Sequence, residues 1–312
     1  MLHLLALLAG ICLLAGGLAL MRHGLNRLLW HRLQAMLSLT TGTAWRGLIS
    51  GTVAAALFQS STAVCLLTIG LVTAEYLTFR QALGVILGAN IGTCATVGLL
   101  GFLPGGILLP LLTAAAFLLL LPRRTRNLGL AAAGLAGLFC GLQLLGSAMS
   151  GLQTLEPARR LLQLAGAGPW HGIAAGVLIT FMFQSSSAAT AMLMTLTAGG
   201  AFDLTAAAFI VYGANLGSCL SSVLVSTVAP LAAKRVAAAH VLVNVLGIAL
   251  FWPVTGLLAA FTGQISGDDA ARVALLHTLF NIASSLAVVP VAGHFARLVE
   301  CLLPRGRGAI WR

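Results

Sequence analysis

Two short polar stretches, FQSST at Phe58–Thr62 and FQSSS at Phe183–Ser187, sit inside apolar runs 125 residues apart (184 − 59 for the two glutamines). The same offset pairs Trp45 with Trp170, Gly47 with Gly172 and Gly51 with Gly176. It continues without a gap to GANIGTC at Gly88–Cys94 and GANLGSC at Gly213–Cys219. A weaker echo lies upstream, GGLALM at Gly16–Met21 against CGLQLL at Cys140–Leu145. Two motifs kept in one register are hard to obtain by chance. The chain is an internal duplication, roughly 10–125 and 134–255, followed by a C-terminal extension. Whatever it folds into must use two copies of one unit.

The residues around the motifs identify the solvent. Of 312 residues, 59% are hydrophobic and 7% charged, with a mean hydropathy of +1.03. A water-facing domain carries about 25% charged residues, so this is an integral membrane protein and the lipid bilayer is its first partner. The net charge of +11 comes in short basic groups between apolar segments. That is how Lys and Arg set topology, and no nucleic-acid partner is expected. Leu2–Met21 is too long for a signal-peptide core and lacks a basic start, so a retained helix is expected. The six cysteines are scattered singly, with no CxxC and no His at ligand spacing. They read as small apolar fillers rather than a disulfide frame or metal site.

About 20 apolar residues cross a bilayer, which predicts spans over 2–21, 81–102, 106–121, 127–149, 203–229, 236–260 and 271–292. The segments 47–73 and 172–199 are also apolar but carry a QSS knot at the middle. A plain crossing helix facing a bundle would tolerate such a knot. The reading adopted is a pair of half-helices that dip in and return, their tips sheltered by protein. With Met1 outside, Arg22, Arg27, Arg32, Arg46 and Arg80 fall inside, as do Arg126, Lys234 and the basic tail; Asp268 and Asp269 fall outside. Arg159 and Arg160 alone take the wrong face, next to Glu156. Three crossings separate equivalent points, so the second copy is inverted.

The fold class expected is therefore an all-α integral membrane protein, an inverted-repeat secondary transporter with two re-entrant hairpins and broken transmembrane helices. Region 1–44 holds a first transmembrane helix and an inner-face amphipathic helix (22–44). Repeat 1 occupies 45–126. A linking helix and an outer-face amphipathic helix (150–168) occupy 127–169. Repeat 2 occupies 170–260, and a last transmembrane helix with a basic cytoplasmic tail occupies 261–312.

The knots limit the chemistry. The only carboxylates are Glu75, Glu156, Asp203, Asp268, Asp269 and Glu300, none mid-membrane, so a carboxylate proton relay has no members. Neutral oxygens from Gln59, Gln184 and the neighbouring hydroxyls suit a hard monovalent cation; Gln59, Ser61, Gln184 and Ser186 are the expected Na⁺ ligands. The half-helix that begins at each knot aims free N–H groups into the cradle, which favours an anion. The glycines of the GAN motifs weaken a helix by about 1 kcal/mol each. They permit a break that offers Asn90 and Thr93, or Asn215 and Ser218. Gly-xxx-Gly packing (Gly84, Gly88, Gly92) is the alternative use. A second echo, RVAAAHVLVN at Arg235–Asn244 and RVALLHTLFN at Arg272–Asn281, puts His240 with Asn244 and His277 with Asn281 on one helical face. These are candidates for supporting roles or for helix-to-helix hydrogen bonds. Arg272 is expected to pair with Asp268 or Asp269.

The paired QSS[ST] knots, each followed by GAN[IL]G[TS], then H-x-x-x-N and HTLFN, resemble the sodium/phosphate cotransporter family, type II group. The resemblance spans about 45–285. It implies Na⁺-coupled movement of inorganic phosphate across a bacterial cytoplasmic membrane, without enzymatic activity or a cofactor. It carries the substrate and sodium site to Gln59, Ser60, Ser61, Thr62, Gln184, Ser185, Ser186 and Ser187. Thr62 departs from the pattern in keeping the hydroxyl but adding a methyl, and HVLVN lacks a Phe before Asn244. Many bacterial relatives append a PhoU-like domain; none is expected here, which leaves import against export open. A second copy of the chain is a candidate partner. Another oxyanion such as sulfate or arsenate fits nearly as well. A channel could use the same hydroxyls, whereas an intramembrane hydrolase would need one nucleophilic Ser with a His base, and no Gly-x-Ser-x-Gly elbow occurs.

Overall fold

Helix is the only regular structure among the described residues, as a bilayer requires of a chain with no closed barrel. The computed structural model describes residues 2–40, 43–103 and 105–304, except the side chains of 2–4, 30–40, 105, 123, 124, 149, 150 and 152–154. The basic tail residues Arg305, Arg307 and Arg312, and the side chain of Arg32, lie outside this set.

Helix α1 runs Leu2–Thr40. The first hairpin is α2 (Ala44–Phe58) and α3 (Ser61–Thr73), and the first broken span is α4 (Phe79–Gly92) and α5 (Cys94–Phe102). A 3₁₀ turn at Gly105–Ile107 leads to α6 (Leu108–Leu119), then α7 (Arg123–Thr154) and α8 (Glu156–Gly166). The second hairpin is α9 (Pro169–Phe183) and α10 (Ser186–Ala198), and the second broken span α11 (Leu204–Ser218) and α12 (Leu220–Thr227). The extension holds α13 (Leu231–Phe251), α14 (Thr255–Ile265), α15 (Asp269–Val288) and α16 (Ala292–Leu302). Among the described residues six stretches are long and apolar enough to span: Leu5–Leu29, Phe79–Phe102, Thr125–Ala148, Leu204–Thr227, Leu231–Ile265 and Asp269–Leu302.

Two expectations need correction. The inner-face helix over 22–44 is not a separate element, because α1 continues as one helix to Thr40 and no proline stops it. The segment 106–121 forms only the 12 residues of α6. At 1.5 Å per residue these reach about 18 Å, against about 30 Å of hydrocarbon. Of the helix expected over 150–168, α8 covers Glu156–Gly166 and bends 118° into α9, while the residues up to Thr154 belong to α7. Helix α8 has no buried residue, and Arg159 and Arg160 both pair with Glu156, at 2.7 and 2.9 Å. Arg272 pairs with Asp269 at 2.7 Å while Asp268 caps α15.

The inversion is visible in α1 and α7, the helices that precede the two hairpins. Gly10 lies against Gly141, Gly17 against Gly134 and Gly24 against Asn127, so the two run antiparallel. Within each copy, the first hairpin helix and the broken span run parallel in close contact. A Cβ on Gly88 would stand 2.0 Å from Leu48 O, and one on its mate Gly213 would stand 2.0 Å from Ile173 O. The first glycine of each GAN motif therefore serves packing. Gly88→Ala and Gly213→Ala should each force the helices apart at about 1–3 kcal/mol. Thermal unfolding in detergent should show Tm falling by some degrees; an unchanged Tm would mean the helices do not meet there.

Candidate functional site

Each hairpin turns at its glutamine. Gln59 closes α2 with φ 53°, ψ 30°, and Gln184 closes α9 with φ 50°, ψ 29°. Both are left-handed conformations that glycine adopts without penalty and other residues adopt at a cost. The next residue caps the returning helix: Ser60 Oγ accepts from Ala63 N at 3.1 Å, and Ser185 Oγ from Ala188 N at 3.3 Å. Ser61 and Ser186 then open α3 and α10, both buried. The start of each returning helix thus lies at a hairpin tip, where unsatisfied N–H groups and the positive end of the helix dipole gather.

The glutamine amides fold back on their own helices, Gln59 Nε2 to Ala56 O and Gln184 Nε2 to Phe181 O. The two Oε1 atoms differ. Gln184 Oε1 accepts from Ser221 Oγ at 3.0 Å, whereas Gln59 Oε1 is buried with no partner. The hydroxyls of Ser187 and Thr180 are buried and unpartnered as well.

The two tips meet. Thr62 from the first lines one cavity with Thr180, Gln184, Ser185, Ser218 and Ser221 from the second copy. Its volume is about 10 Å³, the lower limit for a water molecule. Anything larger requires the tips to move apart. A larger cavity, about 570 Å³, lies between α8 and the α10–α11 turn. Its charged groups are already committed, Arg159 to Glu156 and Asp203 to capping α11, and no unpartnered buried polar atom lines it.

A charge also stands at the tips. Arg22 of α1 reaches across both tips, donating from Nε to Gln59 O at 2.8 Å and from Nη2 to Ser185 Oγ at 3.1 Å. Sequence reading placed Arg22 among the inner topology charges; its guanidinium instead joins the two repeats. Its partners are neutral, and the ion pairs among the described residues belong to Arg159, Arg160 and Arg272. An intramembrane cation without a carboxylate points to a functional site. The only sequence signal for Arg22 was the unbroken helical run past Met21, which carries it along the same helix as the span.

The GAN motifs break their helices as expected, at Thr93 and at Cys219. Thr93 Oγ1 donates to Asn90 O at 2.7 Å and Ser218 Oγ to Asn215 O at 2.6 Å. Ser218 reaches the cavity, but Asn90 and Thr93 do not line it. Asn90 Oδ1 accepts from His240 Nε2 at 3.1 Å, which links α13 to the first break. Asn244 and Asn281 each donate to the carbonyl of the preceding histidine, at 2.9 and 2.8 Å. His277 lies within α15, away from the cavity.

Comparison with known proteins is consistent with this architecture. The family model described as Na+/Pi-cotransporter matches twice, over residues 13–147 and 148–283. The uncharacterized protein YqeW of Bacillus subtilis is 29% identical over 305 residues, 97% of this chain and 99% of the relative. A protein of Escherichia coli K12 named "Putative inorganic phosphate export protein YjbB" is 29% identical over 306 residues, but the chain spans only 56% of its length. The rabbit sodium-dependent phosphate transport protein 2A is 32% identical over 60 residues, 19% of this chain and 9% of that protein. No solved structure matches.

Proposed function

This chain belongs to the Na+/Pi-cotransporter family, and on that premise we propose that it carries inorganic phosphate across the bacterial cytoplasmic membrane by sodium-coupled alternating access. The observation that carries the reading is Arg22, a membrane-embedded cation held at two facing helix starts by neutral acceptors only. Phosphate is the counter-charge that such a place lacks. Helix N-termini, hydroxyls and a guanidinium are the donors an oxyanion takes. Protonated phosphate also donates a hydrogen bond, which Gln59 Oε1, buried and unpartnered, is able to accept. Sulfate has no such proton at neutral pH.

Sodium fits the remaining neutral oxygens. Gln59, Ser61, Gln184 and Ser186 would hold it beside the anion, and its charge would draw the two tips around the substrate. The water-sized cavity then opens to one side or the other as one copy moves against its mate. Net direction follows the combined gradients, and the name of the E. coli relative favours export as the second reading.

Reconstitution into liposomes tests this. Labelled phosphate flux should saturate, follow an imposed sodium gradient, reverse when that gradient is reversed, and resist excess sulfate. Flux that neither saturates nor responds to sodium would make the protein a channel; equal competition by sulfate would remove the proposed selectivity.

A further inference from the structure

The two copies share a sequence pattern and the same turn dihedrals but differ in exposure and side-chain bonding. Gln59 is 5% exposed, while its mate Gln184 is exposed. The difference extends to the paired histidines. On α13, His240 is 1% exposed, and its Nε2–H donates to Asn90 Oδ1 in the first helix break at 3.1 Å. Its Nδ1 faces Ser222 Oγ at 3.4 Å and Cys65 Sγ at 3.6 Å. On α15, His277 is fully buried and neither ring nitrogen has a partner.

The surroundings of the two histidines are otherwise matched. Cys219 and Cys94, themselves repeat mates, send their thiols to the carbonyls of His240 and His277 at 3.6 and 3.9 Å. The offset of 125 names what would complete the second arrangement. The mate of Asn90 is Asn215, in the second break. The mate of Cys65 is Thr190, whose buried hydroxyl is also unpartnered. The mate of Ser222 is Val97. Helices α10 and α11 both pack on α15. The rings of Tyr212 and Phe280, each three residues from Asn215 and His277, stack at 4.7 Å.

The geometry points to His240 and His277 as positioning residues that hold the two helix breaks in turn. In the conformation described, His240 holds Asn90, the first break is fixed and Gln59 is closed in; His277 is unpaired and Gln184 is open. In the opposite access state the copies exchange roles. His277 then donates to Asn215, Thr190 turns to its other nitrogen, and His240 releases Asn90. A buried unpaired donor biases a protein toward any state that pairs it. Each state makes one bond and leaves the other open, so neither is strongly preferred and a ligand can shift the balance. Val97 in place of a hydroxyl weakens the second arrangement, which accounts for the first being the one seen.

This rests on the alternating-access reading, and the test separates the two. Hydrogen–deuterium exchange of the full chain in nanodiscs would be followed at the tips, 58–62 and 183–187, with sodium and inorganic phosphate present or absent. His240→Ala should speed exchange at the first tip by about tenfold or more and slow it at the second. His277→Ala should keep the ligand-free pattern of the parent yet lose the shift that sodium and phosphate cause; His277→Gln, which still donates, should regain it. Where His240→Ala does not remain folded, Asn90→Ala must give the same opposite shifts. Faster exchange at both tips in both variants, or a His277→Ala protein that responds like the parent, overturns the proposal. A parent with no phosphate response removes the transport reading instead, while opposite tip shifts in the His240 or Asn90 variant still support the exchange of partners.

Discussion

Replacing Arg22 by glutamine is expected to raise the phosphate concentration for half-maximal flux by roughly 10–100-fold, from the loss of about 1.5–3 kcal/mol in charge-assisted hydrogen bonds. The direction of the stability change separates this account from a structural one. Among the described residues Arg22 donates to Gln59 O and Ser185 Oγ, with no carboxylate to balance it. A buried charge without a counter-ion carries a desolvation penalty. Removing it should leave Tm unchanged or higher even as transport fails. If Arg22 were only a strap between hairpins, Tm would fall and the substrate concentration for half-maximal flux would stay near that of the parent. Arg22→Lys keeps the charge but not the fork that spans two acceptors, and should fall between. Concentration-dependent flux and thermal unfolding, measured on the same preparations, check both halves.

Gln59→Gly should produce the opposite of what a turn residue normally does. At φ 53° glycine is the more comfortable occupant, and relief of the left-handed strain is worth roughly 0.5–1 kcal/mol. The hairpin should fold at least as well. Transport should nevertheless fall by roughly 10–100-fold, because the variant lacks the buried Oε1 that is offered to sodium or to protonated phosphate. Gln184→Gly, at φ 50°, should behave alike, with a smaller loss because its Oε1 is already engaged by Ser221. A Gln59→Gly protein that transports normally would show that the glutamine serves only to turn the chain.

Much of this architecture was legible along the chain. The hairpins turn at QSS and the spans break after GAN because polar or glycine-rich islands inside apolar runs leave the backbone few alternatives. The 125-residue offset reported the duplication, whereas the inversion rests on the antiparallel packing of α1 on α7, because the crossing expected over 106–121 forms a helix of only 12 residues. Gly88 shows where two readings were compatible, since it packs against Leu48 while Asn90, two residues on, bonds to His240. Arg22 was not legible in its true place. A lone arginine after twenty apolar residues looks like a topology marker, and only the crossing of α1 over both tips gives it another meaning. Nor could two nearly identical motifs say which copy stands closed. That distinction lies in His240 and His277, whose local sequences match while their bonding does not.

The most direct test of the central claim uses arsenate, which shares the shape and protonation of phosphate and scatters anomalously. Crystals grown with sodium and arsenate, with data collected at the arsenic edge, should give one strong peak between the hairpin tips. It should lie within hydrogen-bond reach of Arg22, Gln59 and Ser185. A peak confined to the larger cavity beside Arg159 and Asp203, or none in protein that transports arsenate, would contradict a substrate site built from the two facing knots.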